Sequence, residues 1–150
     1  MPDRNDCTLE IFDSSVFVEA VADTSGKGKE AKKVINSVKT ADNRIPVAHQ
    51  VIIGEVKDFL TSDYSFDDEV TRNMAKEEFE NLLDGFVYVD LDLSDFIEAL
   101  EFIRDEKGRI ASEFNDSLIV GLAISSGQID KIHTTDSWNL KEKSIKVNLI

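Results

Sequence analysis

Short apolar segments alternate along this chain with longer stretches whose apolar residues recur at helical spacing, and that alternation restricts the possible folds. Leu9–Phe12 reads as a strand ending at Asp13, and Ser14–Ala22 follows with Val16, Phe17, Ala20 and Val21 on one helical face. TSGKGK, residues 24–29, reads as a loop, and Glu30–Val38 as a helix with Ala31, Val34, Ile35 and Val38 inward. Pro46 restricts Ile45 to extended geometry, which predicts a strand over Arg44–Val47 and then a helix from about Ala48 to Leu60. Asp67 or Asp68 is placed to cap a helix over Glu69–Leu83, which Asp84-Gly85 stops. Phe86–Val89 has strand composition, and Ser94 caps a predicted helix to about Glu106. A further helix is expected over Asn115–Ser126, a buried strand over Lys131–Thr134 and an edge strand over Ile145–Ile150. Strands alternating with helices predict a mostly parallel central sheet covered on both faces, one α/β/α domain over residues 1–150.

A hydrophobic fraction of 41% against 31% charged residues suits a chain that buries a core, so disorder is excluded. No run of 18 apolar residues exists, and MPDRNDCTLEIFDSS lacks a signal-peptide pattern, so a cytoplasmic protein without membrane contact is expected. Cys7 is the single cysteine, which rules out a disulfide framework and a cysteine zinc cluster. The net charge of −13 argues against unaided binding of nucleic acid and suits a site that gathers cations. Charge is unevenly placed: Lys27, Lys29, Lys32, Lys33, Lys39 and Arg44 crowd residues 26–46, whereas the charged residues of 84–106 are all acidic but Arg104. A polyanion would meet the first region and avoid the second.

In parallel sheets, function gathers beyond the carboxyl ends of the strands. Four acids fall there: Asp13 after the first strand, Glu55 on the helix after Arg44–Val47, Asp116 in the first turn of an uncharged helix, and Asp136 just past Lys131–Thr134. Each also has an ordinary structural job. Asp13 can cap a helix, Asp116 can sit at a helix dipole, Asp136 can start a turn and Glu55 can face solvent. Taken together, however, clustered carboxylates repel one another, and a divalent cation is the simplest neutraliser. Magnesium and manganese are hard ions that prefer oxygen ligands.

These residues resemble the PIN domain family. Its pattern is an Asp ending the first strand, a mid-chain Glu on a helix, an Asp opening an apolar helix and an Asp after the next strand. The corresponding segments are IFDSSVFVEAV (Asp13), IPVAHQVIIGEVKDF (Glu55), NDSLIVGLAISSG (Asp116) and IHTTDSWNL (Asp136), in the family's order across nearly the whole chain. The resemblance implies a Rossmann-like three-layer α/β/α fold and a metal-dependent ribonuclease, often the VapC-type toxin of a toxin–antitoxin pair. It further implies that Asp13, Glu55, Asp116 and Asp136 hold one or two Mg²⁺ or Mn²⁺ ions, with Ser14 and Thr134 supporting them through hydroxyl hydrogen bonds. An RNA substrate, an antitoxin partner and a homodimer are implied likewise. One departure is visible: where the family often places a further acid two residues after the fourth motif, this chain has Trp138 and then Asn139.

Other signals are weaker. GKGKE, residues 26–30, lacks the earlier Gly and the following Ser or Thr of a phosphate loop, although its lysines remain the best candidates for contacts to RNA phosphates. His133 neighbours the site, but strand alternation points it away from Thr134. His49 and His133 lack zinc-ligand spacing. Two alternatives remain: a PIN nuclease of RNA processing or decay without a toxin role, and a receiver-like signalling domain that also gathers acids and Mg²⁺ at a sheet edge. The latter expects paired acids near the first strand and a Lys after the last, and IFDSS and the tail supply neither.

Overall fold

Alternation of apolar residues and their exclusion from water build the sheet around one central strand. In the computed structural model of the chain, the described residues are 7–89, 103–104, 119, 123, 128–136, 139–140 and 145–150. Strand β1 (Thr8–Phe12) pairs in parallel with β2 (Arg44–His49) on one side and with β5 (Ile129–Thr134) on the other. β3 (Val87–Val89) extends the sheet beyond β2, and β7 (Lys146–Leu149) extends it beyond β5. The order is β3-β2-β1-β5-β7, every pair parallel. It forms the middle of a three-layer α/β/α arrangement. Successive strands step from β1 to β2 to β3 and then return to the opposite side of β1. The switch point therefore lies between β1 and β5, where open α/β sheets bind ligands.

Helices α1 (Ser14–Ala22) and α2 (Gly28–Thr40) cross from β1 to β2, and α3 (Gln50–Thr61) and α4 (Glu69–Leu83) from β2 to β3. Their buried faces follow the sequence periodicity: Val16, Phe17 and Ala20; Ala31, Ile35 and Val38; Ile52, Val56 and Leu60; Ala75, Phe79 and Leu82. α1 touches each of the other three. Phe12 of β1 meets Phe17 of α1 and Phe86, with ring centroids 6.1 and 5.5 Å apart, and Phe17 meets Phe79 of α4 at 5.6 Å. This cluster locks helix to sheet beside the switch point. Ile132 is fully buried in β5. Deleting one methyl by Ile132→Val is expected to lower unfolding stability by about 1 kcal/mol in urea melts, with the denaturant slope unchanged.

Several boundaries differ from the sequence reading. β2 continues to His49 because Ala48 and His49 pair with Tyr88 and Val89, which holds them extended. His49 then caps α3, its Nδ1 accepting from Val51 N at 3.1 Å. α2 starts at Gly28 rather than Glu30, because Asp23 Oδ1 accepts from Gly28 N at 2.8 Å and so satisfies an open donor of its first turn. Ile103–Arg104, expected within a helix, instead form β4, paired antiparallel with β6 (Asn139–Leu140). Strand pairing with a distant segment overrides the local helical spacing there. The rest of the helix expected from Ser94 lies outside the described residues. Of the Asn115–Ser126 helix, Ile119 and Ala123 are described, and both are helical and buried. Asp68 caps α4, accepting from Thr71 N at 2.7 Å. Among the described residues no helix is long and apolar enough to cross a membrane.

Candidate active site

Asp13 leaves β1 at the switch point as the N-cap residue of α1, yet its side chain makes no capping hydrogen bond. It is instead 2% exposed and tied to the end of β5. Oδ2 accepts from Ser15 Oγ at 2.9 Å and from Thr134 Oγ1 at 3.1 Å. Each hydroxyl in turn accepts a backbone donor: Thr134 Oγ1 from Asp136 N, and Ser15 Oγ from Thr135 N, both at 3.1 Å. Asp13 N also donates to His133 O at 2.9 Å. Two hydroxyls thus stitch Asp13 to the turn that carries Asp136. Ser15 and Thr134 supply these bonds; among the described residues Ser14, the expected support, does not. One helical step separates the two serines, and only the packed helix decides which one faces Asp13.

Glu55 is half-buried in the second turn of α3, after β2, and Asp136 is exposed just beyond β5. Burial pushes the Asp13 carboxyl up to about 6; the two hydroxyl bonds oppose that rise, and the charges of Asp136 and Glu55 add to it. The electrostatic coupling shows that three of the four expected acids share one field. Asp116, the fourth, lies outside the described residues. Asp13 Oδ1 is buried and, among the described residues, has no hydrogen-bond partner. A buried carboxylate oxygen left so costs free energy unless a ligand or ion satisfies it. Among the described residues no three of His, Cys, Asp and Glu close into a metal-holding group by themselves. The donor set nevertheless fits a hard divalent ion: oxygen ligands, an open buried lone pair and neighbouring carboxylates whose charges act on it.

His133 stands on the other side of β5, as strand alternation requires. Its Nε2 lies 2.8 Å from Glu10 Oε1, and Asn148 Nδ2 lies 3.0 Å from its Nδ1. Glu10, 2% exposed, also accepts from Arg44 Nε at 2.5 Å and Nη2 at 2.7 Å. Arg44, Glu10, His133 and Asn148 thus form a polar line across β2, β1, β5 and β7, roofed by Phe12, whose ring stacks on His133 at 4.5 Å. Burial pushes the imidazole below its ordinary value, with Glu10 opposing. Neutral His133 then donates from Nε2 to Glu10 and accepts at Nδ1 from Asn148. Burial raises the Glu10 carboxyl, but the hydrogen bonds of Arg44 and His133 outweigh it and hold the group at about 2. Sequence reasoning missed this line, although a Glu between Leu9 and Ile11 in a strand bound for the core was its signal.

The PIN domain family profile matches residues 11–142, and the chain belongs to that family. PIN domains are generally nucleases and generally use divalent metal ions. The receiver-like alternative falls with this assignment. The VapBC2 structure from Rickettsia felis, bound to a DNA fragment from its promoter, contains a chain similar in fold. Its TM-score is 0.60 at 10% identity, over 94% of this chain and 98% of that one. PAE2754 from Pyrobaculum aerophilum is similar with a TM-score of 0.57 at 16% identity, over 87% of this chain and 82% of that one. No curated protein sequence matches the chain.

Proposed function

We propose that this chain is a metal-dependent endoribonuclease in which Asp13, Glu55, Asp116 and Asp136 hold Mg²⁺ or Mn²⁺. The observation that carries this reading is Asp13: a buried carboxylate with one oxygen fully bonded, the other open, and two further acids in its field. When bound, such an ion supplies an activated water and charge neutralisation for phosphodiester hydrolysis. The chain's own residues do the positioning. Ser15 and Thr134 fix the Asp13 plane so that Oδ1 stays available, and Thr134 holds the backbone of Asp136. Such supporting hydrogen bonds orient ligands and commonly govern ion affinity. Glu55, from α3, and Asp116 complete the proposed oxygen set.

The likeness in fold to a chain of a VapBC complex supports a toxin role. In this reading a basic antitoxin segment fits the acid-rich site, and a homodimer is the working unit. Purified protein is expected to cleave single-stranded RNA with Mn²⁺, to stop in EDTA, and to lose cleavage in Asp116→Asn. Equal cleavage by wild type and Asp116→Asn removes the proposed site. For the toxin role, expression of the wild-type chain is expected to arrest growth while Asp116→Asn does not; growth unaffected by an active enzyme favours RNA processing instead.

A further inference from the structure

The loop joining α1 to α2 is held by one buried carboxylate. Glu19, 4% exposed, accepts from Thr24 Oγ1, from Ser25 N at 3.1 Å and from Lys27 N at 3.3 Å. Asp23 leaves α1 in the left-handed conformation at φ 49°, and Gly26 follows at φ 82°. A Cβ on Gly28 would stand 2.7 Å from Glu19 O and 2.9 Å from Asp23 Oδ1, so the close approach requires glycine. Burying a carboxylate is costly unless its hydrogen bonds are filled, and here most of them go to the loop.

This arrangement fixes the half-buried Lys27 beside the switch point. Its Nζ donates to Thr135 O at 3.4 Å, the carbonyl immediately before Asp136. An ammonium has three donors. Among the described residues that carbonyl is its one acceptor, and Lys27 forms no ion pair with a described carboxylate. A cation is therefore held at the rim of an acidic site without being paired to any of its described acids. Asp13, Glu55 and Asp136 would repel a polyanion there, and Lys27 offsets that repulsion at their rim.

We propose that Lys27 is a substrate-binding residue that takes a phosphate oxygen of the single-stranded RNA next to the bond being cut. This rests on the nuclease reading above and adds the residue that lets RNA approach the carboxylates. Neutralising one phosphate on a single strand changes the slope of log affinity against log salt by about 0.7. The test is kcat/KM for a fluorogenic single-stranded RNA at fixed Mn²⁺ and varied NaCl. Lys27→Met is expected to lower kcat/KM about tenfold at low salt, through KM rather than kcat, and to flatten the salt slope by about 0.7. Lys27→Arg restores the slope, and Lys146→Met, at the opposite end of the strands, changes neither quantity.

A Lys27→Met salt slope equal to wild type overturns the assignment. So does a loss confined to kcat that Lys27→Arg does not repair, because Lys27 then only buttresses the Asp136 turn. Wild type that cleaves no RNA overturns the nuclease reading and this one together. Active wild type with an unaltered Lys27→Met overturns this one alone.

Discussion

Replacing Asp13 by asparagine is expected to abolish RNA cleavage while raising the melting temperature of the metal-free protein at alkaline pH. Loss of residues that merely support a ligand costs about 10- to 100-fold, so loss of a ligand itself should exceed a hundredfold. The stability effect runs the other way. A carboxyl whose folded pKa of about 6 exceeds the ordinary 3.8 favours folding only while protonated. That contribution is complete below pH 3.8 and is lost as pH rises through about 6. The difference corresponds to about 3 kcal/mol. Asparagine keeps an acceptor for Ser15 and Thr134 and carries no charge. In EDTA the two proteins should therefore melt together near pH 4 and separate by about 6–12 °C at pH 8, the variant higher. Adding Mn²⁺ at pH 8 should raise the wild-type melting temperature and leave the variant unmoved. An Asp13→Asn protein that is active, or that is less stable than wild type at pH 8, contradicts the assignment.

The largest loss of stability is expected from Glu10→Gln. Removing one partner of a buried ion pair costs about 3–5 kcal/mol, because the remaining charge stays where water cannot reach it. The lower end of that range applies here, since Arg44 is 29% exposed and can partly rehydrate. For a domain of this size, about 3 kcal/mol corresponds to about 6–12 °C in melting temperature. The pH dependence differs in sign from that of Asp13. The Glu10 carboxyl lies at about 2, below its ordinary 4.5, so its stabilisation is present above pH 4.5 and lost as pH falls towards 2. Wild type and Glu10→Gln should differ most at neutral pH and converge in acid. A double variant, Glu10→Gln with Arg44→Met, should recover part of the loss by removing the stranded cation. Two single changes that simply add would show that the pair is not coupled.

Helical periodicity placed α1 and α4 at their observed bounds, because their inward faces are continuous and their ends carry Asp13, Asp68 and Gly85. It failed at Ile103–Arg104 and at Ala48-His49, where pairing to a distant strand decides the backbone. The carboxyl edge of the sheet was legible as soon as strands alternated with helices, and Asp13 and Asp136 follow from it; the strand order that puts the switch point there was not. The burial that raises Asp13 was not, since burial is a property of what packs above a residue rather than of its neighbours in sequence.

By itself the sequence determined the fold class and proposed a set of acids, because both are read from local spacing: an apolar run, then Asp, then a helical face. Only the tertiary structure decided how those acids are served. It chose Ser15 beside Thr134, left Oδ1 of Asp13 open, sent His133 to Glu10 and Arg44 on the far face, and brought Lys27 to Thr135 from a loop 108 residues away in sequence. Hydrogen bonds and charge coupling act through space over a few ångströms, and the chain distance between these partners carries no trace of them.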